Sequence, residues 1–350
     1  MPCTIVVGGQ YGSEGKGKVV SLYCTSLSRP WVVRCGGPNS GHTTHVNGEE
    51  VILRQVPAGV SNPEATLLLA AGCAVDADVL LREVEMLNLP RERIIVDPRI
   101  VLIQETDRSE ESKASIEIGS TASGTGAALI RRMTRSHEVQ LAQDCANLQK
   151  RVRIETVAPL LHLRLDLGDD VVIEGTQGFG LSLLHGPNYP YLTARDVTAA
   201  AFASEVGLSP RQIDEIIMVI RTFPIRVGGR SGPIGEELTW EAIQEMSGAP
   251  RPLPEYTSVT KRLRRVAHFD IKAVEMACTY NRPTALAIMG LDRLDYRNYG
   301  TTDFSKLTSS AQAFVGHVED RTGVTVTLVG TGFDVHDAIF VGARERAIHG

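Results

Sequence analysis

Short apolar runs broken by glycine-rich turns set the rhythm of the chain. Ile5-Val6-Val7, Trp31-Val32-Val33-Arg34, Thr66-Leu67-Leu68-Leu69-Ala70, Val171-Val172-Ile173-Glu174, Ile216-Ile217-Met218-Val219-Ile220 and Ala285-Leu286-Ala287-Ile288-Met289 are too short for helices. Their β-branched and aliphatic content reads as buried strand. Segments 51–54, 94–96, 100–103 and 326–329 extend the set. Segment 76–89 carries apolar residues at helical spacing and stops before Pro90. Segment 138–166 reads as a helix interrupted at Pro159, and 194–206 as another with Thr193 a candidate N-cap. Strands alternating with helix-length segments indicate an α/β protein.

Composition narrows the class. The chain has 350 residues, 43% of them hydrophobic and 22% charged, enough to bury a large core. No run reaches the ~18 apolar residues of a membrane span, and the N-terminus enters a strand with no signal-peptide pattern, so a cytoplasmic protein is expected. The six cysteines are scattered without a C-x-x-C pair, which fits neither a disulfide framework nor a zinc site. A formal charge of −5 argues against nucleic acid as a partner, because phosphate-backbone binding needs a basic face. Anions must be met by local clusters.

The densest such cluster follows the first strand. In Gly8-Gly9-Gln10-Tyr11-Gly12-Ser13-Glu14-Gly15-Lys16-Gly17-Lys18, glycines permit positive φ and close backbone approach, and two lysines stand beside loop amides at a helix start. That pattern reads as a phosphate site, against the plain alternative of a structural turn with two solvated lysines. The usual P-loop spacing fails: five residues separate Gly9 from Gly15, and Gly17 stands where Ser or Thr would hold magnesium. Two further strands end the same way, in Gly36-Gly37-Pro38-Asn39-Ser40-Gly41-His42-Thr43 and Gly175-Thr176-Gln177-Gly178. Open α/β sheets place ligands at such carboxyl ends.

At these residues the chain resembles the adenylosuccinate synthetase family. Residues 12–18 match that family's Gly-Asp-Glu-Gly-Lys-Gly-Lys with Ser13 in place of Asp, and Asn39, Gly41, His42 and Thr43 match its Gly-x-Asn-x-Gly-His-Thr. The resemblance runs from Ile5 to Asp334. It implies a single domain over 1–350, P-loop-related, with a mostly parallel central sheet flanked by helices and glycine-rich ligand loops at strand carboxyl ends.

The resemblance also implies site residues. The nucleoside triphosphate would meet Gly12, Glu14, Gly15, Lys16, Gly17, Lys18, Gly41 and Thr43, with its base at Gly290, Asp292, Gly330 and Gly332. The purine monophosphate would meet Ser13, Asn39, Gln177 and Thr193, together with Ser120 and Thr121 of the Gly-Thr-Thr-Gly-like loop. Arg135 falls where the family has an arginine that reaches the partner subunit's substrate, which implies a homodimer; with Arg131 and Arg132 it otherwise reads as a solvated helix face. L-aspartate would meet Val259, Thr260, Arg262, Arg264 and Arg265, where Lys261 and Leu263 depart from the family's Thr-Thr-Gly-Arg-Arg-Arg-Arg; Arg226 joins the site through a Thr-Arg-Val-Gly-like segment. Mg²⁺ would sit at Ser13 and Gly41. Catalytic roles fall to Lys16, His42 and position 13.

Ser13 bears on the substrate. In the family the Asp at this point takes the N1 proton of IMP, and a serine hydroxyl is too weak to do so unaided. Ser here resembles the viral 2-aminoadenylosuccinate synthases, which act on dGMP, the protein then residing in host cytoplasm. Removing the carboxylate frees space beside C2, where guanine carries its amino group. Gly290 in place of the family's Lys, and Phe333 in place of Pro, point to ATP or dATP rather than GTP. The expected reaction is therefore ligation of aspartate to dGMP, the alternatives being IMP with GTP and a non-catalytic nucleotide-binding homologue.

Overall fold

In the computed structural model, which describes residues 3–119, 121–257 and 261–342, the apolar runs join one ten-stranded sheet. Its strands in chain order are β1 (Cys3–Gly8), β2 (Trp31–Arg34), β3 (Thr66–Leu69), β4 (Ile94–Val96), β5 (Arg153–Ile154), β6 (Val171–Glu174), β7 (Glu215–Arg221), β8 (Ala285–Met289), β9 (Val326–Gly330) and β10 (Ala338–Phe340). Across the sheet the order is β10, β9, β8, β7, β1, β6, β2, β3, β4, β5. Every pairing is parallel except that of β9 with the edge strand β10.

Parallel strands are covered on both faces, which is why β1 is buried throughout and its sequence shows no polar alternation. Side chains still alternate between two cores. Ile5, Val7, Ile173 and Met218 pack on one face with Leu161, Phe202 and Val274. Val6, Val172 and Val219 point to the other, with Val20, Leu80 and Leu148. Helix α1 (Lys16–Thr25) leaves the glycine loop through Gly15, whose φ of 104° an L side chain resists. A three-stranded antiparallel sheet, Ile225–Arg226 and Glu237–Leu238 flanking Arg265–Ala267, stands apart on its own small core around Trp240 and Val266.

Three expectations need correction. Segment 138–166 is not one helix: it holds the helices Ala146–Arg151 and Val157–Asp166 with β5 between them. The break serves the sheet, since Arg153 and Ile154 pair with Ile95 and Val96. Pro159 sits in the first turn of the second helix, where a missing N–H costs nothing. Nor is Thr193 a helix cap. The helix begins at Ala199, and Thr198 caps it by accepting from Ala201 N at 3.3 Å. Segment 100–103 contributes only Val101–Leu102, which pairs with Ala74–Val75 away from the main sheet.

The strand expected at 51–54 forms as Glu49–Leu53, but in a separate hairpin with His42–Val46; that first hairpin strand and the helix Glu105–Ile118 are additions to the sequence reading. The hairpin's first strand is mostly polar, and the helix has only a sparse apolar stripe, so periodicity marked neither. Among the described residues no helix is long and apolar enough to cross a membrane. Five of the six cysteines are buried.

Candidate active site

The loops leaving the carboxyl ends of β1, β2, β6, β7, β8 and β9 open onto one cleft of about 960 Å³. From the first loop Gly12 through Lys18 line it, and from the second Asn39, Gly41, His42 and Thr43. Gln177 and Thr193 come from the third, Gly290 and Asp292 from beyond β8, and Gly332 from beyond β9. Thr121 closes one wall and Arg264 another. Residues far apart in sequence are thus collected by the sheet alone.

Gly17 shows why this loop is not an ordinary P-loop. A Cβ there would stand 2.7 Å from the Thr43 carbonyl and 2.9 Å from His42 Cβ. The hairpin that carries His42 therefore packs directly on the start of α1, in the space a Ser or Thr would need. Within the loop the Glu14 carboxylate accepts from Gln10 N at 3.1 Å and Gly12 N at 2.8 Å, and Lys16 Nζ lies 2.6 Å from its other oxygen. Lys16 also donates to the Gln177 carbonyl. Glu14 is buried and turned into the loop, so its contribution is to shape the loop rather than to face an anion. Lys18 donates to the carbonyls of Gly332 at 3.1 Å and Asp337 at 2.7 Å, tying α1 to the loop after β9; burial pulls its pKa down to about 8.

His42 is held from behind. Its Nδ1 bonds to Glu174 Oε1, while Nε2 is buried with no hydrogen-bond partner among the described residues. Glu174 is wholly buried, accepts from Ala58 N at 2.6 Å and lies 3.5 Å from Arg34 Nη1. Burial, helped by Arg34, pulls the His42 pKa down to about 4. The ring is therefore neutral at pH 7, with its proton on Nδ1 toward the carboxylate and the Nε2 lone pair presented to the cleft.

The family description that matches, Adenylosuccinate synthetase, covers residues 5–155 and 136–299. The chain belongs to the adenylosuccinate synthetase family. An adenylosuccinate synthetase of Methanocaldococcus jannaschii is 42% identical over 346 residues, 97% of this chain and 96% of that one. The ligated adenylosuccinate synthetase of Plasmodium falciparum superposes with a TM-score of 0.84 at 18% identity, covering 97% of this chain and 99% of that one, a likeness of fold alone. The cyanophage S-2L succinoaminodeoxyadenylate synthetase, whose structure holds dGMP with dATP as energy donor, superposes with a TM-score of 0.80 at 27% identity over 99% of this chain and 98% of that one. The chain is accordingly a ligase of the adenylosuccinate synthetase type.

Not every residue suggested by the family resemblance faces the cleft. Arg265 pairs with Glu237 at 2.9 Å and with the Gly232 carbonyl at 2.7 Å, and neither it nor Arg262 or Gly330 lines the cavity. Arg135 is exposed just beyond the helix Thr125–Met133, and it too lies outside the lining. Ser120, Val259 and Thr260 lie outside the described residues. Arg226 lines the cleft, lies 4.9 Å over the Tyr11 ring and donates to the Pro233 carbonyl at 2.6 Å.

Sequence reasoning passed over Arg221, Glu255 and Arg293, all of which line the cleft. A signal existed for one: Arg221 is a charge closing the apolar run 216–220 at its carboxyl end, as Arg34 and Glu174 close theirs. For magnesium, the Ser13 hydroxyl has no partner among the described residues, and it and Gly41 both line the cavity. Neutral oxygens of this kind suit Mg²⁺, which keeps several waters and takes most of its charge from nucleotide phosphates.

Proposed function

We propose that the chain joins L-aspartate to C6 of dGMP, driven by ATP or dATP, giving 2-amino-2′-deoxy-N6-succinyladenylate. One observation carries the choice of purine: Ser13 is exposed in the cleft, in the left-handed region at φ 58°, with no side-chain hydrogen bond among the described residues. The short side chain leaves room beside C2 and offers an acceptor to the guanine amino group, where an Asp would crowd it. The cyanophage enzyme, with dGMP and dATP in its structure, supports this reading.

The reaction has two steps. The γ-phosphoryl group passes to O6, and the aspartate amine then displaces phosphate at C6. Lys16 and the loop amides spread charge on the transferring group. His42 meets O6 through Nε2, which must gain a proton to donate there as charge builds on O6, the ring being fixed by Glu174 at Nδ1. The N1 proton, which the Ser13 hydroxyl cannot take, passes to water in the cleft. Gln177 reads the purine edge, Thr121 and Thr193 hold the 5′-phosphate, and Arg264 holds aspartate carboxylate. Mg²⁺, bound at Ser13 and the Gly41 carbonyl, would supply charge neutralisation on the donor phosphates. At the donor base, where Gly290 stands in place of the family's Lys and Phe333 in place of its Pro, Arg293 lies 4.8 Å over the Phe333 ring.

A second reading, IMP with GTP, has its own support: the archaeal relatives, all named adenylosuccinate synthetases, are nearer in overall identity than the cyanophage enzyme. Overall similarity weighs toward IMP and Ser13 toward dGMP. Incubation with aspartate, Mg²⁺ and ATP or GTP, offering dGMP or IMP in parallel, separates them chromatographically. Succinylated product from dGMP alone is expected; product from IMP alone would establish the second reading, and none from either would remove both. Ser13→Asp is expected to move the kcat/KM ratio toward IMP by about tenfold or more, about 1.4 kcal/mol.

The same reading makes the protein a homodimer. Ile130 and Met133 on the helix Thr125–Met133 are 62% and 73% exposed, beside Tyr189 at 80%. A second copy covering this apolar rim would bring Arg135 to its neighbour's monophosphate. Sedimentation is expected to show dimers at micromolar concentration, and a monomer there would refute the shared site.

A further inference from the structure

Glu255 stands where three parts of the cleft meet. Its carboxylate accepts from both terminal nitrogens of Arg221, Nη1 at 3.1 Å, and lies 3.9 Å from Arg293 Nη2. Arg221 Nη1 reaches on to the Ser13 carbonyl at 3.1 Å. The Arg221 backbone exchanges two further hydrogen bonds with the Gln10 side chain, at 3.0 and 3.1 Å. The glycine loop is thus positioned by Arg221, and the Arg221 guanidinium by Glu255.

On the opposite side, Arg293 Nε lies 3.4 Å from Asp292, and the guanidinium covers Phe333, the wall assigned above to the donor base. Glu255 is also the root of the arginine segment, because Arg264 N–H donates to its carbonyl at 2.8 Å. Two cations therefore share one half-buried carboxylate. Whatever moves Arg293 changes the hold on Arg221, and with it Ser13.

We infer that Glu255 is a positioning residue that makes the placement of the Ser13 loop and of the arginine segment depend on occupancy of the donor-base wall. The inference rests on the donor and aspartate subsites of the proposed function. It goes beyond them in giving the coupling between those subsites a physical carrier. Couplings of this kind change affinity by about five- to a hundredfold.

The test varies ATP and follows the KM for aspartate with whichever monophosphate is turned over. In the unmodified chain that KM is expected to fall about fivefold or more as ATP rises. In Glu255→Gln it stays flat within about twofold, and Glu255→Asp, which keeps the charge, restores part of the dependence. A variant whose kcat and melting temperature both drop while the dependence on ATP persists would show a merely structural role and overturn the inference.

A second readout needs no turnover. Lys261 and Arg262 are exposed, so trypsin cleavage there reports on the arginine segment. ATP binding, followed by calorimetry, is expected to slow cleavage of the unmodified chain but not of Glu255→Gln; GTP takes ATP's place if it is the nucleotide that binds. Failure of both dGMP and IMP to give product would count against the proposed function and leave this readout intact. A bound nucleotide that protects both proteins equally, or neither, would overturn the role of Glu255.

Discussion

Replacing Lys16 by Gln is expected to lower kcat about 10²- to 10³-fold while the protein still folds and binds its monophosphate. Lys16 is buried in the cleft wall, with Nζ against Glu14 and the Gln177 carbonyl. The first contact lies in the loop whose amides would meet the donor phosphates and the second in the loop after β6, so the ammonium is held between the two, ready beside the group in flight. Phosphoryl transfer asks little covalent chemistry of a protein and much electrostatic stabilisation, which makes a pre-positioned cation the costliest single loss. Gln is preferred to Ala because it keeps a hydrogen-bond donor for Glu14, whose carboxylate loses its only charged partner among the described residues in either variant. Steady-state kinetics with a parallel melting curve checks the prediction. A kcat within about threefold of the unmodified chain would mean that loop amides alone carry the transfer.

The resemblance brought most of the cleft residues together on paper because phosphate and purine sites are written in local glycine-rich motifs. Gly12 to Lys18, Asn39 to Thr43, Gln177 and Asp292 do converge. The strands were legible for a related reason: a parallel sheet buried on both faces leaves continuous apolar runs, as in β1, β6 and β8.

What stayed hidden depends on partners remote in sequence. Glu255 and Arg221 gain their meaning only when the sheet brings them into contact, and no local pattern announces that. The arginine segment shows the converse failure. Its run of basic residues suggested a common target, yet Arg265 turns to Glu237, because neighbouring residues in an extended segment point in opposite directions. The helix expected over 138–166 was lost to a sheet edge that needed one more short strand. Tertiary pairing overrode propensity there.

Glu174→Ala is expected to destabilise the fold by about 3–5 kcal/mol, the largest single loss of stability foreseen for a site side chain. Glu174 and Arg34 close neighbouring strands and are buried together, and His42 completes the cluster. Arg34 also donates to the carbonyls of Ser40, Leu53 and Val56, at 3.1, 3.3 and 3.2 Å. Those bonds root the hairpin that carries His42. Removing the carboxylate leaves a buried guanidinium without its counter-charge and the Ala58 N–H without an acceptor, a state far costlier than the intact pair is stabilising.

That asymmetry gives the test its second arm. The double variant Arg34→Met with Glu174→Leu removes both charges and should recover part of the loss, by urea midpoint at unchanged slope, the remainder being the Ser40, Leu53 and Val56 carbonyls and the Ala58 N–H left without Arg34 and Glu174. It should not recover activity, because Nδ1 of His42 then has no carboxylate to fix the ring. A Glu174→Ala protein destabilised by less than about 1 kcal/mol would show the cluster to be hydrated and not buried. Recovery of both stability and turnover in the double variant would remove Glu174 from the chemistry and leave His42 to be oriented by packing alone.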